Sequence, residues 1–163
     1  MATKADFNAD EWSKVVEGPL LAGMRVVTAG RGGTIRESLA IGQVYAEARK
    51  GQGESELLDE MVASPPALDA RQLKTAGDLA AVSSQRVREA LGLLGEKASP
   101  GDVEAYKSFV LSVAQAAAQA HKEGGFAGIG GKPISETEQA ALDELRADLD
   151  APSGGAASGS AEA

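Results

Sequence analysis

The stretch that decides the fold is SPGDVEAYKSFVLSVAQAAAQA, from Ser99 to Ala120. Serine followed by proline is typical of a helix start, with Ser99 as the N-cap and Pro100 at the first helical position. The apolar residues that follow repeat at spacings of three and four, which places them on one face of an α-helix. They are Val103, Tyr106, Val110, Val113, Ala117 and Ala120. The alanines at 116–118 leave room for a close neighbour, so we expect this helix to be central in the fold.

Four further helices are predicted before this stretch, from the same periodicity. The first has Asn8 as its N-cap and contains Gly18-Pro19, which predicts a kink or a junction of two short helices, because proline forfeits a backbone hydrogen bond. Gly51-Gln52-Gly53 ends the second helix and Ser64-Pro65-Pro66 ends the third. The expected ranges are about 9–28, 34–50, 55–63 and 69–97, with a break near 75–77 left open in the last.

A last helix is predicted after the central one. Ser135 and Glu138 form the pattern of a capping box, in which each side chain bonds the other residue's backbone N–H. Leu142, Leu145 and Leu149 then recur on one face as its apolar stripe. From Ala151 onward the chain is rich in proline, glycine, serine and alanine, and it has too little apolar surface to offset the entropy cost of ordering.

The predicted fold class is therefore all-α, a single compact bundle of about six helices with a disordered C-terminal tail. No heptad pattern persists through several repeats, which argues against a coiled coil. We expect a flexible N-terminus at 1–8, a helical domain at 9–150 and a disordered tail at 151–163.

Composition and charge exclude several classes of function. The chain has no cysteine and one histidine, which excludes disulfides, thiolate catalysis, iron–sulfur clusters and histidine-rich metal sites. The net charge of −8 argues against nucleic-acid binding, which needs a basic face. Residues 136–163 carry seven acidic side chains and one arginine, so the acidity is mainly C-terminal. No secretory signal or transmembrane segment is evident, and a cytoplasmic protein is expected.

No catalytic residues and no cofactor are predicted. His121 falls in the last turn of the central helix beside Lys122, where a cation is favoured by the exposed carbonyls, and no spacing indicates a catalytic partner. The run Gly128-Ile129-Gly130-Gly131-Lys132 differs from a phosphate-binding loop, because proline follows the lysine and no strand precedes the glycines. The sole tryptophan, Trp12, is interpreted as a buried residue of the first helix.

Two groups of residues are candidates for contact with a partner. The first is the glycine-rich loop, in which Phe126, Ile129 and Lys132 either anchor the loop on the core or contact a partner. The second is a basic run on the fourth helix. Its members are Arg71, Lys74, Arg86 and Arg88. The acidic last helix is the natural counterpart of this run, in the same chain or in a second one.

The chain resembles a family of small, all-helical, uncharacterised bacterial proteins. The resemblance rests on Phe7, Glu11-Trp12, Pro19, the segment from Lys122 to Gly131 and the segment from Ile134 to Glu138. It implies a helical fold and no particular activity.

A fainter resemblance is to the tellurite-resistance TerB family, whose helices begin with an acidic loop associated with metal binding. It rests on the turn followed by isoleucine at Gly33-Thr34-Ile35 and at Gly131 to Ser135. Gly30 stands where that loop has its first aspartate, and a hard cation needs several clustered oxygen ligands. We therefore expect no metal requirement.

The leading hypothesis for function is a non-enzymatic helical interaction or scaffold module with a protein partner, and a homo-oligomer is left open. One alternative is a TerB-like metal- or stress-linked module. The other is a carrier of an apolar small ligand. Its expected pocket is lined by Trp12, Tyr45, Tyr106 and Phe109.

Overall fold

In the part of the chain that the structure describes, the fold consists of six α-helices and a short 3-10 turn at Lys4–Asp6. The computed structural model describes residues 1–30, 34–53, 55–67, 76–122 and 134–151. The helices are α1 (Ala9–Ala29), α2 (Thr34–Lys50), α3 (Glu56–Ala63), α4 (Ala76–Lys97), α5 (Pro100–Lys122) and α6 (Glu136–Asp150). Every regular element in the described ranges is helical, which confirms the predicted all-α bundle.

Helix α5 lies at the centre, as its sequence predicted. It packs against each of the other five helices, and α1 beside it packs against α2, α4 and α6. Helix α2 lies at the edge of the bundle and packs mainly on α5. The fully buried side chains of α5 include Tyr106, Val110 and Val113. These belong to the apolar stripe that indicated the helix.

The helix starts follow the predicted caps. Asn8 accepts a hydrogen bond from the N–H of Glu11, and the Glu11 carboxylate accepts one from the N–H of Asn8, so α1 begins with a reciprocal box. Ser135 and Glu138 form the same arrangement at the start of α6. Each box satisfies amide groups that the first turn of a helix leaves without partners.

Helix α1 runs unbroken through Pro19, where a kink or a junction was expected. Because proline has no N–H, the carbonyl of Val15 lacks its usual helical donor. The hydroxyl of Tyr106 on α5 donates to that carbonyl at 3.0 Å. Gly18 makes room for it, since a Cβ at this position would clash with the Tyr106 hydroxyl. The neighbouring helix thus supplies the hydrogen bond that proline removes.

The flexibility expected for residues 1–8 stays a prediction. In the structure Ala2 is only 3% exposed and Phe7 packs against Trp12 with ring centroids 5.9 Å apart. Trp12 itself is buried, as predicted. The tail beyond Ala151 lies outside the described residues. The break expected near 75–77 lies partly outside them, since α4 is described from Ala76.

Candidate functional site

The two described members of the basic run contact carboxylates of the same chain. Arg86 lies 3.1 Å from Glu17 of α1 and 3.3 Å from Glu89 of α4. Arg88 donates from Nε to Asp148 of α6 at 2.9 Å. Arg88 thus contacts the acidic last helix of the same chain, whereas the carboxylates beside Arg86 belong to α1 and α4.

The other predicted contact residues lie outside what the structure describes. These are Arg71 of the basic run and Phe126, Ile129 and Lys132 of the glycine-rich loop. The side chain of His121 is outside it as well. Their roles stay predictions from the sequence.

A buried ionic cluster joins α1, α4 and α6. Asp148 is 4% exposed and accepts hydrogen bonds from Arg88 and from Ser84 Oγ at 2.6 Å. Arg25 of α1 is 5% exposed, lies 3.4 Å from Asp148 and also contacts Glu144. Arginine and carboxylate charges balance in this cluster, so no single charge is buried without compensation. The cluster fixes α6 to the bundle.

Arg25 and Asp148 were not predicted to pair, although their positions in the sequence carried a signal. Arg25 lies three residues after Ala22 and one before Val26, on the apolar face of α1. Asp148 lies three residues after Leu145, where the stripe of α6 continues. A charged residue within an apolar stripe indicates a buried ion pair. Two such residues of opposite sign on different helices are therefore expected to pair with each other.

A second buried carboxylate, Asp102, connects three segments at the start of α5. It accepts hydrogen bonds from the Ala2 N–H at 3.2 Å, the Ser55 hydroxyl at 2.9 Å and the Ser99 hydroxyl at 2.7 Å. Burial alone would raise the pKa of Asp102, but the bonds from Ser99, Ala2 and Ser55 outweigh it and lower that pKa. Because these donors keep Asp102 ionised, the carboxylate acts as a hydrogen-bond acceptor that connects the segments. A general acid would instead need a raised pKa.

Two tyrosines lie in the core and differ in their hydrogen bonding. Burial raises the pKa of both Tyr45 and Tyr106, so both phenols stay protonated at neutral pH. Tyr106 donates to Val15, whereas the Tyr45 hydroxyl has no hydrogen-bond partner among the described residues. The Tyr45 ring packs edge-on against Phe109 at 5.0 Å between centroids.

An open apolar groove lies between α2 and α5, with a volume of about 500 Å³. On α2 its lining residues recur with helical spacing, and on α5 they include Phe109 and two small residues. The lining is Ala40, Gln43, Val44, Glu47, Ala48, Phe109, Ser112 and Ala116. The Ser112 hydroxyl donates to the Phe109 carbonyl at 2.8 Å, so its polarity is satisfied within α5. The pocket expected from the sequence shares only Phe109 with this lining.

The middle of helix α2 is poor in charge, whereas its two ends are charged. Residues 38–48 contain one charged residue, Glu47, and the rest of the helix contains Arg36, Glu37, Arg49 and Lys50. Ile41 and Tyr45 are buried, and Val44 and Ala48 are partly buried against the core, so Leu39, Gly42 and Ala46 are the exposed apolar positions of this stretch. Leu39 is 64% exposed and belongs to this surface. We call the groove together with the exposed side of α2 at 39–46 the α2 face.

No other kind of site stands out in the described part of the chain. There, no three acidic or histidine side chains are grouped so that they could hold a metal ion. None of the helices, as far as they are described, is long and apolar enough to cross a membrane. No family model, curated protein or solved structure matches this chain.

Proposed function

We propose that this chain is a non-enzymatic helical interaction module and that the α2 face is its docking surface. The observation that carries the proposal is the open apolar groove beside the uncharged, partly exposed stretch 38–46 of an edge helix. An apolar groove between two helices with an exposed leucine beside it has the shape into which a partner helix can pack.

The polar residues of the bundle support the same assignment. Arg25, Arg88 and Asp148 contact one another or nearby side chains between helices, and Asp102 holds three segments together. These groups have structural partners and lie away from the groove. The groove offers shape and apolar contact, which are the means by which a helix is recognised.

Site-specific photo-crosslinking tests the proposal. A photoreactive phenylalanine analogue replaces Gln43 on the α2 face, and a matched variant carries it in place of Val82, which is 37% exposed on α4. In the native cells we expect a defined crosslinked product from position 43 and none from position 82. The absence of any product at position 43, or the same products from both positions, would contradict an interaction module that uses this surface.

A carrier of an apolar small ligand is the second candidate, because the groove volume lies within the range of about 300–1,000 Å³ that is usual for ligand pockets. Native mass spectrometry of protein purified without denaturation separates the two functions. A carrier retains a small apolar molecule of constant mass, and the substitution Ala48→Arg in the groove abolishes that retention. An interaction module shows no such adduct.

A further inference from the structure

We infer that Asp102 is the binding site for the α-ammonium group of Ala2, which is formed when Met1 is removed from the chain. The Ala2 nitrogen donates to Asp102 Oδ2 at 3.2 Å, and Ala2 is 3% exposed, whereas Met1 is 76% exposed. The bond between Met1 and Ala2 thus lies where the chain passes from solvent into the bundle. This inference does not depend on the α2 face or on the proposed function.

The Asp102 carboxylate is a buried anion whose donors are neutral. It is 3% exposed, and its hydrogen-bond donors among the described residues are the hydroxyls of Ser55 and Ser99 and the backbone N–H groups of Ala2 and Ser99. Buried charges in proteins are ordinarily paired with a charge of opposite sign. Of these donors, the Ala2 nitrogen is the one that can become a cation, and it does so when its peptide bond to Met1 is hydrolysed.

Hydrolysis by an aminopeptidase forms this cation. Water supplies a hydroxyl group to the carbonyl carbon of Met1 and a hydrogen to the nitrogen of Ala2, and free methionine leaves. The new amino group takes up a further proton at neutral pH, since the pKa of an unperturbed α-amino group is about 7.7–8.0. Ala2 has the small side chain that methionine aminopeptidases require after the residue they remove. Cleavage precedes the packing of this segment on the bundle, because Ala2 is buried afterwards.

The rest of the N-terminal segment holds Ala2 in place without Met1. The N–H of Lys4 donates to a carboxylate of α3, and the Phe7 ring packs against Trp12. Loss of the exposed methionine therefore leaves the Ala2 nitrogen beside the carboxylate. A charged donor then replaces a neutral one, and charge-assisted hydrogen bonds are roughly twice as strong as neutral ones.

Charged side chains on the segments around this site are exposed or have partners of their own. They are Lys4, Asp6, Glu56, Asp59, Glu60 and Lys97. All of them are present whether or not Met1 has been removed. A comparison of the chains with and without Met1 therefore isolates the effect of the new ammonium group.

Two chains released from a cleavable fusion partner test the inference, one beginning at Met1 and the other at Ala2. At pH 7 the chain that begins at Ala2 should melt about 4 °C higher. The carboxylate raises the pKa of the ammonium group, so this advantage is complete below the unfolded pKa of about 8 and is lost as the pH rises through the folded pKa. Thermal unfolding from pH 6 to pH 11 follows the loss. In the matched control Asp102→Asn, the two chains should melt alike at every pH.

Two further measurements do not depend on the stability of Asp102→Asn. Titration of the Ala2 methyl signal by NMR, in the chain that begins at Ala2, should give an α-amino pKa well above the ordinary value of about 8. The intact mass of the protein from its native cells should lack Met1 and carry no acetyl group.

An ordinary α-amino pKa for Ala2 overturns the inference, as does a stability difference that persists at pH 11 or in Asp102→Asn. A native protein that retains Met1, or that is acetylated on Ala2, overturns it as well. None of these results bears on the crosslinking test of the α2 face, so failure here is distinct from failure of the proposed function.

Discussion

At the scale of single residues, the fold depends on hydrogen bonds in which a donor on one helix satisfies an acceptor on another. Val15, Pro19 and Tyr106 form the clearest case, since the proline removes a donor from one helix and the tyrosine of another helix supplies it. Tyr45 provides a natural comparison, because its hydroxyl is equally internal but has no hydrogen-bond partner among the described residues. The two phenols are expected to contribute to stability very differently.

The substitution Tyr106→Phe should lower the free energy of unfolding by about 1–3 kcal/mol, because it leaves the buried carbonyl of Val15 without a donor. Tyr45→Phe should leave stability unchanged or raise it slightly, since it removes a buried polar group that lacks a partner. Chemical denaturation followed by circular dichroism measures both. Equal losses in the two variants would contradict the assigned role of Tyr106.

The substitution Gly18→Ala should destabilise the protein although alanine is the better helix former. The added methyl group would clash with the Tyr106 hydroxyl, which is fully buried and cannot move away freely. Gly42→Ala is the matched control on an exposed helix position, and it should stabilise by about 0.5–1 kcal/mol. The pair of melting temperatures gives the test, and a stabilising Gly18→Ala would refute the close approach of α5.

Asp102 should make stability depend on pH in the acidic range. Its pKa in the folded protein lies below the ordinary value of 3.8, so the ionised carboxylate stabilises the fold at higher pH. That contribution is complete above the unfolded pKa and is lost as the pH falls through the folded pKa. In Asp102→Asn, stability at neutral pH should be lower and its decline between pH 5 and pH 2 smaller. Urea denaturation at each pH measures the stability of both proteins. An equal decline in the two would argue against this role.

At the scale of elements, helix α6 is held by apolar and ionic contacts at once. Leu142, Leu145 and Leu149 are buried against the bundle, and Asp148 pairs with Arg25 of α1. The competing idea is that this acidic helix orders only in a complex. Its contacts in the isolated chain favour a permanent part of the core.

Hydrogen exchange of the isolated protein should therefore show slow exchange for the amides of α6 between 140 and 149. Protection comes from burial and from hydrogen bonds that open only with the bundle. The substitution Leu145→Ala should reduce stability by about 2–5 kcal/mol, as expected for a fully buried leucine. Exchange of α6 at the rate of unstructured peptide would show instead that the helix is detachable.

The elements were predictable from the sequence because caps and periodicity are local signals. Asn8, Ser99 and Ser135 marked three helix starts, and the stripe of α5 indicated a central helix. Contacts between distant parts of the chain were less predictable. Nothing near Pro19 in the sequence indicated Tyr106, and the groove lining was misplaced because large aromatic residues such as Tyr45 and Tyr106 pack inside the core rather than along a pocket.

At the scale of the whole molecule, charge is distributed so that arginines of the bundle meet carboxylates of α1 and α6. Arg86 contacts Glu17, and Arg88 contacts Asp148 although its own side chain is 64% exposed. The stretch 38–46 of α2, by contrast, contains no charged residue.

Calcium or magnesium at millimolar concentration should leave the melting temperature nearly unchanged. A ligand that binds only the native state raises the free energy of unfolding by RT ln(1 + [L]/Kd), so a cation that does not bind has no effect. The loop at 30–33 contains no carboxylate that could bind one. Thermal unfolding with and without each cation, at matched ionic strength, provides the measurement. A rise of about ten degrees would favour the TerB-like alternative.

The hydrogen bond between Tyr106 and Val15 also sets an order of events during synthesis. The two residues are separated by 91 positions, so α1 emerges with an incomplete backbone ladder at Pro19. At about 5–20 residues per second, ribosomes need roughly 5–20 s to reach the tyrosine that completes it. Through that interval the carbonyl of Val15 has no donor from the rest of the chain. The nascent chain can complete its bundle only once the central helix has been made.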